Sequence, residues 1–269
     1  NCFEHMKLGG IFLDAVLFVC VLKACGCSKD VEKCLEVHQE ILRKGLERDP
    51  FVSITLVDVY CKCNCLPEAH LVFLTLPDKT TVAWNALIGG YAEHGPSHVA
   101  LSLYADMQIQ GTSPSIVTYI SALRASGQIG AIEEGRKIHK ELRQRGVEED
   151  PFVISTLIDM YAECGSLHEA WGAFNKLPHG DVVPSWNAML KACGINNEGD
   201  MAIHLFEKMQ EMSVKPDGIT FTCLLTACCR SSLVIEGQNF FKGMKMYGID
   251  PTVEHLACMV DILARSGHL

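Results

Sequence analysis

Two histidine–glutamate pairs are the residues whose types and spacing come nearest to catalysis. The H-x-E pattern occurs at residues 38–40 (HQE) and 139–141 (HKE), where the histidine could bind zinc and the glutamate could transfer protons. A deaminating zinc site also needs a downstream P-C-x-x-C motif, and neither pair is followed by one. The pairs lie 101 residues apart, a period that recurs along the chain and that catalysis does not require. We therefore interpret both pairs as structural.

The fourteen cysteines are the other candidates for chemistry, as metal ligands or as a disulfide framework. No two of them form C-x-x-C, the spacing that brings two thiolates to one metal. Cys61, Cys63 and Cys65 alternate at the end of a predicted helix and cannot converge on one ion while they are helical. We interpret the cysteines as reduced thiols that act as small core residues, which implies a reducing compartment. No metal or other cofactor is expected.

The segment 81–115 shows the elements that position any functional side chain. Residues 84–93 predict a first helix, and residues 94–96 (HGP) break it, because glycine accepts a left-handed cap and proline suits the next helix start. Residues 96–110 predict a second helix, since their apolar residues follow the i, i+3, i+4, i+7 spacing of one helix face. Those residues are Ala100, Leu103, Tyr104 and Met107. The segment is a helix pair.

The same helix pair returns later in the chain, so the sequence is an internal repeat. The tripeptide WNA at 84–86 recurs at 186–188, 102 residues on. Between these copies the pairs form a triplet of about 35, 31 and 35 residues. The predicted units are 1–14 (partial), 15–49, 50–80, 81–115, 116–150, 151–182, 183–217, 218–252 and 253–269 (partial). The chain starts with Asn1 rather than methionine, inside a predicted second helix, so we expect a fragment of a longer protein.

One helix pair cannot bury its apolar face alone, whereas stacked pairs bury it continuously. The sequence therefore predicts an all-α fold, a right-handed α-solenoid of stacked antiparallel helix pairs in one domain, 1–269. The longest apolar run, 15–22, has eight residues, far below the roughly 20 of a membrane span. The net charge of −9 argues against a polycation that grips duplex DNA. It leaves open a groove of different charge on one face.

The unit lengths and motifs resemble the pentatricopeptide repeats of the plant PLS subclass over all 269 residues. The W-x-x-L-G-x-x-Y signature of tetratricopeptide repeats is missing. P-type motifs match VAWNALIGGYAEHG at 82–95 and SWNAMLKACG at 185–194. On this resemblance, 1–14, 81–115 and 183–217 are P-type units, 15–49, 116–150 and 218–252 are L-type, and 50–80, 151–182 and 253–269 are S-type. Such proteins commonly carry C-terminal extension motifs and a cytidine-deaminase-like domain, which would lie beyond Leu269.

The resemblance implies binding of single-stranded RNA, one nucleotide per repeat. The fifth and last residues of a unit would recognise the base edge, and the apolar second residue would stack on base faces. The base-recognising residues would be Asn85, Ser115, Ser155, Asp181, Asn187, Asp217 and Thr222. The stacking residues would be Val16, Phe51, Val82, Val117, Phe152 and Ile219.

A partial code follows from the resemblance. Asn85 with Ser115 resembles a cytidine reader, Asn187 with Asp217 a uridine reader, and Ser155 with Asp181 a guanosine reader, so repeats 81–217 would favour C-N-G-U. Three fifth residues depart from the pattern because they cannot hydrogen-bond a base: Val19, Ile54 and Ile120. Pro184 looks like an extra residue, which leaves either Asp181 or Val182 as the last residue of its unit. Trp84 and Trp186 could stack on bases, but we favour packing between repeats.

Two classes of function stay open. The leading hypothesis is the RNA-binding module of an organellar RNA-processing factor, in a mitochondrion or chloroplast, that specifies C-to-U editing sites. Splicing or transcript stability would use the same binding, and a protein-interaction solenoid is the rival class. The recurrent Asn85 and Asn187, each with a polar last residue, favour RNA with other organellar editing proteins as partners and no membrane. We expect the chain itself to be non-enzymatic.

Overall fold

The computed structural model describes residues 14–176 and 183–265, and each regular element in these ranges is helical. First helices of the pairs carry odd numbers and second helices carry even numbers. In chain order they are α1 (Ala15–Ser28), α2 (Val31–Arg43), α3 (Pro50–Lys62), α4 (Leu66–Thr75), α5 (Thr81–His94), α6 (Ser97–Ile109), α7 (Ile116–Gln128), α8 (Ile132–Gln144), α9 (Pro151–Glu163), α10 (Leu167–Phe174), α11 (Val183–Ile195), α12 (Gly199–Glu211), α13 (Gly218–Arg230), α14 (Val234–Gly243) and α15 (Val253–Arg265). A 3₁₀ turn, Met244–Tyr247, lies between α14 and α15.

The residue before a first helix caps the start of that helix. Asp49 Oδ1 accepts a hydrogen bond from the Val52 N–H at 3.0 Å, and Asp217 Oδ1 accepts one from the Thr220 N–H at 2.8 Å. Such caps satisfy backbone donors that have no partner within the helix. The residues Asp14, Thr80 and Asp150 cap α1, α5 and α9 in the same way. Each described first helix thus begins at the first residue of a predicted unit, while the assignment of units to P, L and S types stays a prediction.

The chain forms two compact units, each larger than a single repeat: residues 1–125 and residues 126–269. The boundary between them lies inside α7. In the first unit, α1, α3 and α5 lie side by side, and α2, α4 and α6 pack against them. Phe18, Leu22, Val57 and Leu87 are fully buried in its core. The predicted stack of helix pairs is therefore confirmed in this unit.

The second unit repeats the arrangement. Its first helices α9, α11, α13 and α15 lie side by side, and α10, α12 and α14 pack against them. Leu157, Leu190 and Leu224 are fully buried between these helices. The same apolar helix face that the sequence pattern predicts is therefore the one that the stack covers.

In two first helices the fourth residue is a tryptophan that packs against an aromatic ring of the preceding helix pair. The Trp84 ring packs edge-on against Phe73, with centroids 4.7 Å apart, and Trp186 packs against Phe174 at 4.9 Å. Both indoles are buried. The packing role predicted for the two tryptophans is confirmed.

The cysteines of the described ranges carry free thiols. Burial raises the pKa of Cys34, Cys61 and Cys193 to about 12, so these thiols stay protonated and act as small apolar residues. The core interpretation is wrong for Cys20 and Cys27, which are exposed on α1. No helix of the described residues is long and apolar enough to cross a membrane.

Candidate nucleic-acid interface

The second residue of a first helix is apolar and exposed at six places. In the first unit these residues are Val16, Phe51, Val82 and Val117, and in the second unit they are Phe152 and Ile219. Phe51 and Phe152 are the extreme cases, with 77% and 76% of their surface accessible. A single exposed apolar residue is ordinary in a folded protein. Recurrence at one helix position leaves an uncovered apolar surface that the packing of the repeats does not explain.

Two first helices depart from that pattern. Pro184 occupies the second position of α11 and is exposed there, so it replaces Val82 of α5 rather than adding a residue. The interpretation of Pro184 as an insertion is therefore wrong. Glu254 occupies the same position of α15 and is also exposed.

Asn187, the fifth residue of α11, belongs to a hydrogen-bond network that includes Asp217, the last residue of its repeat (183–217). Its Nδ2 donates to Asp217 Oδ1 at 3.1 Å, and its Oδ1 lies 2.7 Å from the Thr220 hydroxyl. The same hydroxyl accepts from the Asp217 backbone N–H at 3.0 Å. Asn187 is 6% exposed and Thr220 is fully buried, whereas Asp217 is exposed. The structure thus brings together the two predicted base-recognising residues and adds a third.

Asn85 on α5 has the equivalent network in the first unit. Its Nδ2 donates to Ser115 Oγ at 2.9 Å, and its Oδ1 accepts from the Thr118 hydroxyl. The Ser115 N–H donates in turn to Thr118 Oγ1 at 2.9 Å. A cavity of about 240 Å³ opens beside Asn85, and its lining includes the second residue of the next first helix, Val117. An exposed apolar residue and a polar fifth residue therefore share one recess.

His255 contacts both Thr222 on α13 and Thr252, the last residue of the repeat 218–252. The Thr252 N–H donates to His255 Nδ1 at 3.0 Å, so the ring carries its proton on Nε2. That nitrogen lies 3.2 Å from Thr222 Oγ1 and 2.9 Å from the Gly218 carbonyl oxygen. His255 is buried, with 2% of its surface accessible.

Ser155 on α9 is held more simply. Its hydroxyl lies 2.9 Å from the hydroxyl of Ser185 and 2.9 Å from the Pro151 carbonyl oxygen, to which it donates. Its predicted partner Asp181, and the alternative Val182, lie outside the described residues. The pairing of Ser155 with either therefore stays a prediction.

The sequence interpretation missed four residues that are buried next to this surface: Thr118, Ser185, Thr220 and His255. Each is the third residue of a first helix, and each contacts the fifth residue of the first helix before it. A signal for them exists in the sequence, because this position is polar at these four places and apolar at Val52, Ala83 and Val153.

Ion pairs accompany these residues along the first helices. Lys191, one turn after Asn187, contacts Asp159 at 2.8 Å, and Arg124 on α7 contacts Glu93 at 3.1 Å. Burial alone would lower the pKa of Lys191, but the Asp159 carboxylate outweighs it and raises that pKa. The surface therefore holds cations within reach of a ligand, each partly neutralised by a neighbouring acid.

Family models match most of the chain. A model of the PPR repeat family matches residues 79–128 and 181–230, and a PPR repeat model matches 16–46, 152–180 and 219–249. The chain belongs to the pentatricopeptide repeat family. The matched segments contain α5, α7, α11 and α13 entirely and all but the first residue of α1 and α9, and the α-solenoid fold class predicted from the sequence is confirmed.

Three curated relatives in Arabidopsis thaliana show the extent of the similarity. The pentatricopeptide repeat-containing protein At5g27110 is 36% identical over 100% of this chain and 39% of its own length. The pentatricopeptide repeat-containing protein CRR2, chloroplastic, is 36% identical over 97% of this chain and 40% of its own. At1g06140, mitochondrial, is 34% identical over 98% and 48%. This pentatricopeptide repeat chain therefore spans less than half the length of these relatives.

Solved structures are similar at lower identity. A chain of the APC/C hetero-tetramer Cut9-Hcn1 matches with a TM-score of 0.50 at 14% identity, over 96% of this chain and 50% of that one. PPR10 from maize matches with a TM-score of 0.47 at 16% identity, over 99% and 44%. The first of these similarities concerns the fold alone.

Proposed function

We propose that the first-helix surface of this pentatricopeptide repeat chain binds single-stranded RNA, with one nucleotide at each helix pair. The observation that carries the proposal is the recess beside Asn85, where an exposed apolar residue adjoins a half-buried amide network. Apolar surface can pack on the faces of any base, whereas an oriented amide discriminates base edges. The second unit carries the same two kinds of residue at the equivalent positions, Asn187 in a hydrogen-bond network and Ile219 exposed.

The proposed base preferences follow the resemblance to PLS-type repeats. Asn85 with Ser115 would prefer cytidine, and Asn187 with Asp217 would prefer uridine. Ser155 with Asp181 would prefer guanosine. The aliphatic fifth residues Val19, Ile54 and Ile120 offer no hydrogen bond, so their repeats would contribute stacking and little discrimination.

We further propose an organellar role, because CRR2 is named chloroplastic and At1g06140 is named mitochondrial. Within that role, specification of C-to-U editing sites is the finer hypothesis, and it rests on the PLS-like alternation of unit lengths. The chain would act as the binding module, with editing proteins as partners. A deamination step would belong to another domain or protein.

Selection from a random single-stranded RNA pool tests the proposal, with the Asn187→Ser variant selected in parallel. We expect a short motif related to C-N-G-U, in which the variant changes the preference at the uridine position and nowhere else. Equal retention of single-stranded DNA, duplex and RNA at moderate salt would contradict it. That result would favour a groove that binds a peptide, which a pull-down with the same chain would then examine.

A further inference from the structure

We propose that the third residue of each first helix is a positioning residue that decides whether the repeat before it can discriminate a base. The inference rests on the proposed RNA binding. It concerns Thr118, Ser185, Thr220 and His255, which contact the polar fifth residues described above. We call the meeting point of a fifth residue, the last residue of its unit and the third residue of the next first helix a junction.

The junction of Asn187 shows how the third residue acts. The carboxylate of Asp217 can only accept hydrogen bonds, so the NH₂ end of the amide must face it. The oxygen end then faces the Thr220 hydroxyl at 2.7 Å. A flipped amide would place its oxygen against the carboxylate and lose that bond, although its NH₂ group could still donate to the Thr220 hydroxyl, which also lies 3.0 Å from Asp217 Oδ1. Asp217 therefore sets which end of the amide faces it, and Thr220 holds the other end in place from a fully buried site.

This network uses only half of the hydrogen-bonding capacity of the Asn187 side-chain amide. An amide has two N–H donors and an oxygen with two lone pairs. Asp217 occupies one donor and Thr220 occupies one lone pair. One donor and one acceptor stay available for a base edge, in an orientation that the protein has set in advance. Preorganised donors and acceptors discriminate better than mobile ones because no ordering cost is incurred on binding.

The sequence pairs the two positions consistently. At each of the six junctions that lie within one compact unit, a polar fifth residue precedes a polar third residue, and an apolar one precedes an apolar one. The polar pairs are Asn85/Thr118, Ser155/Ser185, Asn187/Thr220 and Thr222/His255, and the apolar pairs are Val19/Val52 and Ile54/Ala83. A physical reason exists, since a buried hydroxyl without a partner is costly and an amide without one is not oriented.

The first experiment removes the hydroxyl of Thr220. RNA selection with the Thr220→Val variant of the full chain should lose the preference at the nucleotide of Asn187 by at least about tenfold. Thr220→Ser keeps the hydroxyl and should retain the preference. Thr226→Val is the matched control, because it removes a hydroxyl that bonds the Thr222 carbonyl oxygen on the same helix. An unchanged preference in Thr220→Val would overturn the inference.

A second readout separates this inference from the proposed function. Nuclear magnetic resonance relaxation of the Asn187 side-chain ¹⁵NH₂ group reports the mobility of the amide without RNA. The amide should be rigid in the wild type and in Thr220→Ser, and mobile in Thr220→Val. If the wild type selects no RNA while this contrast holds, RNA binding is refuted and positioning stands. If the amide is equally rigid in all three, positioning is refuted.

The reverse experiment builds a discriminating repeat at the junction of Val19. Asp49 already caps α3 as Asp217 caps α13, and Val52 has nearly the shape of threonine. Val19→Asn combined with Val52→Thr therefore recreates the Asn–Asp–Thr set. The double variant should gain a preference at its nucleotide, and Val19→Asn alone should gain little. Equal preferences in the single and double variants would contradict a positioning role for the third residue.

Discussion

Two sets of polar side chains recur in several of the helix pairs, and they differ in what surrounds them. On the second helices, His38, His70 and His139 bond to the tyrosine hydroxyls of the next first helix at 2.7, 3.2 and 2.8 Å. Those tyrosines are Tyr60, Tyr91 and Tyr161. The rings also pack edge-on, so both partners are used within the protein. On the first helices, the amides of Asn85 and Asn187 keep part of their bonding capacity, and Asn85 shares a recess with the exposed Val117.

The difference teaches that periodicity alone does not separate scaffold from function. The H-x-E pairs at 38–40 and 139–141 recur because their histidines tie one helix pair to the next. Burial lowers the pKa of both histidines, which keeps the imidazoles neutral in these ties. The asparagines recur with the same period, but the recess beside Asn85 also contains the exposed apolar residue Val117. An exposed apolar residue next to a polar one, rather than recurrence, is what points to a ligand.

The largest expected effect is a loss of stability at a residue that packs one helix pair against the next. Trp186→Ala should reduce the free energy of unfolding by about 3–5 kcal/mol, because it removes a buried ring that packs on Phe174. Urea titration followed by circular dichroism measures the loss. Trp171→Ala is the control, since Trp171 is only half-buried and should cost clearly less. Equal losses in the two variants would contradict the packing role.

The stacking surface should show the opposite behaviour. Phe152→Ser removes a ring that is 76% exposed, so stability should stay within about 0.5 kcal/mol. The affinity for single-stranded RNA should fall by about 1–3 kcal/mol, the contribution of one stacked base. Filter binding measures the loss, and Ile109→Ser, which alters an exposed residue of a second helix, should leave affinity unchanged. Equal affinity losses in both variants would argue against a special first-helix surface.

Low pH should weaken the contact between His139 and Tyr161, because His139 is also hydrogen-bonded to the Glu148 carboxylate. Burial of the Glu148 carboxyl would raise its pKa, but hydrogen bonds from Lys176 and from His139, at 2.7 Å, outweigh burial and lower the pKa from 4.5 to about 2. A lowered carboxyl pKa stabilises the fold above pH 4.5, and that stabilisation is lost as the pH falls from 4.5 towards 2.

Glu148→Gln should therefore lower stability at neutral pH by about 1–2 kcal/mol and flatten the decline below pH 4.5. Thermal unfolding across pH measures both effects. Glu149→Gln alters the exposed neighbouring carboxylate and should leave the wild-type profile intact. An unaltered acid profile in Glu148→Gln would show that this carboxylate is not part of the tie.

The smallest effect belongs to a single hydroxyl of the scaffold. Tyr161→Phe removes the partner of His139 Nδ1 while keeping the ring contact, and it should cost about 1 kcal/mol. The nucleotide preference of the RNA selection should not change. A changed preference would mean that the histidine–tyrosine ties also shape the recognition surface, which would blur the distinction drawn above.

The sequence predicted the helix pairs because apolar spacing is a local property, but two local details were wrong. The helix expected at 84–93 begins three residues earlier, at Thr81, and Gly95 is extended, with φ −117° and ψ −171°, rather than left-handed. Apolar spacing and capping residues such as Asp49 and Asp217 act within one turn of helix. The position of Pro184 was misjudged, because a proline within the first turn continues a helix without the need for an extra residue. The exposure of Cys20 and Cys27 was missed because it depends on how α1 is covered, which no local pattern encodes.

The third-residue partners were missed for a different reason. Thr118 and Thr220 lie where a threonine often completes a capping box, and Thr220 does so with Asp217. Helix capping alone accounts for a threonine at position 220. The sequence around Thr220 therefore gives no indication of its contact with Asn187, 33 positions earlier. Such contacts join neighbouring repeats, and they become visible only when the positions of successive units are compared in pairs.

The double duty of the last residue restricts how this recognition surface can evolve. The last residues of the six units that end in described residues are Asp49, Thr80, Ser115, Asp150, Asp217 and Thr252, all of them favourable helix caps. Under the proposed function the same side chain also tunes base choice. The residue types that can vary base specificity at this position are then limited to the few that favour the start of a helix. Specificity for a new RNA sequence must arise by exchange among those few residue types or by substitution at another position.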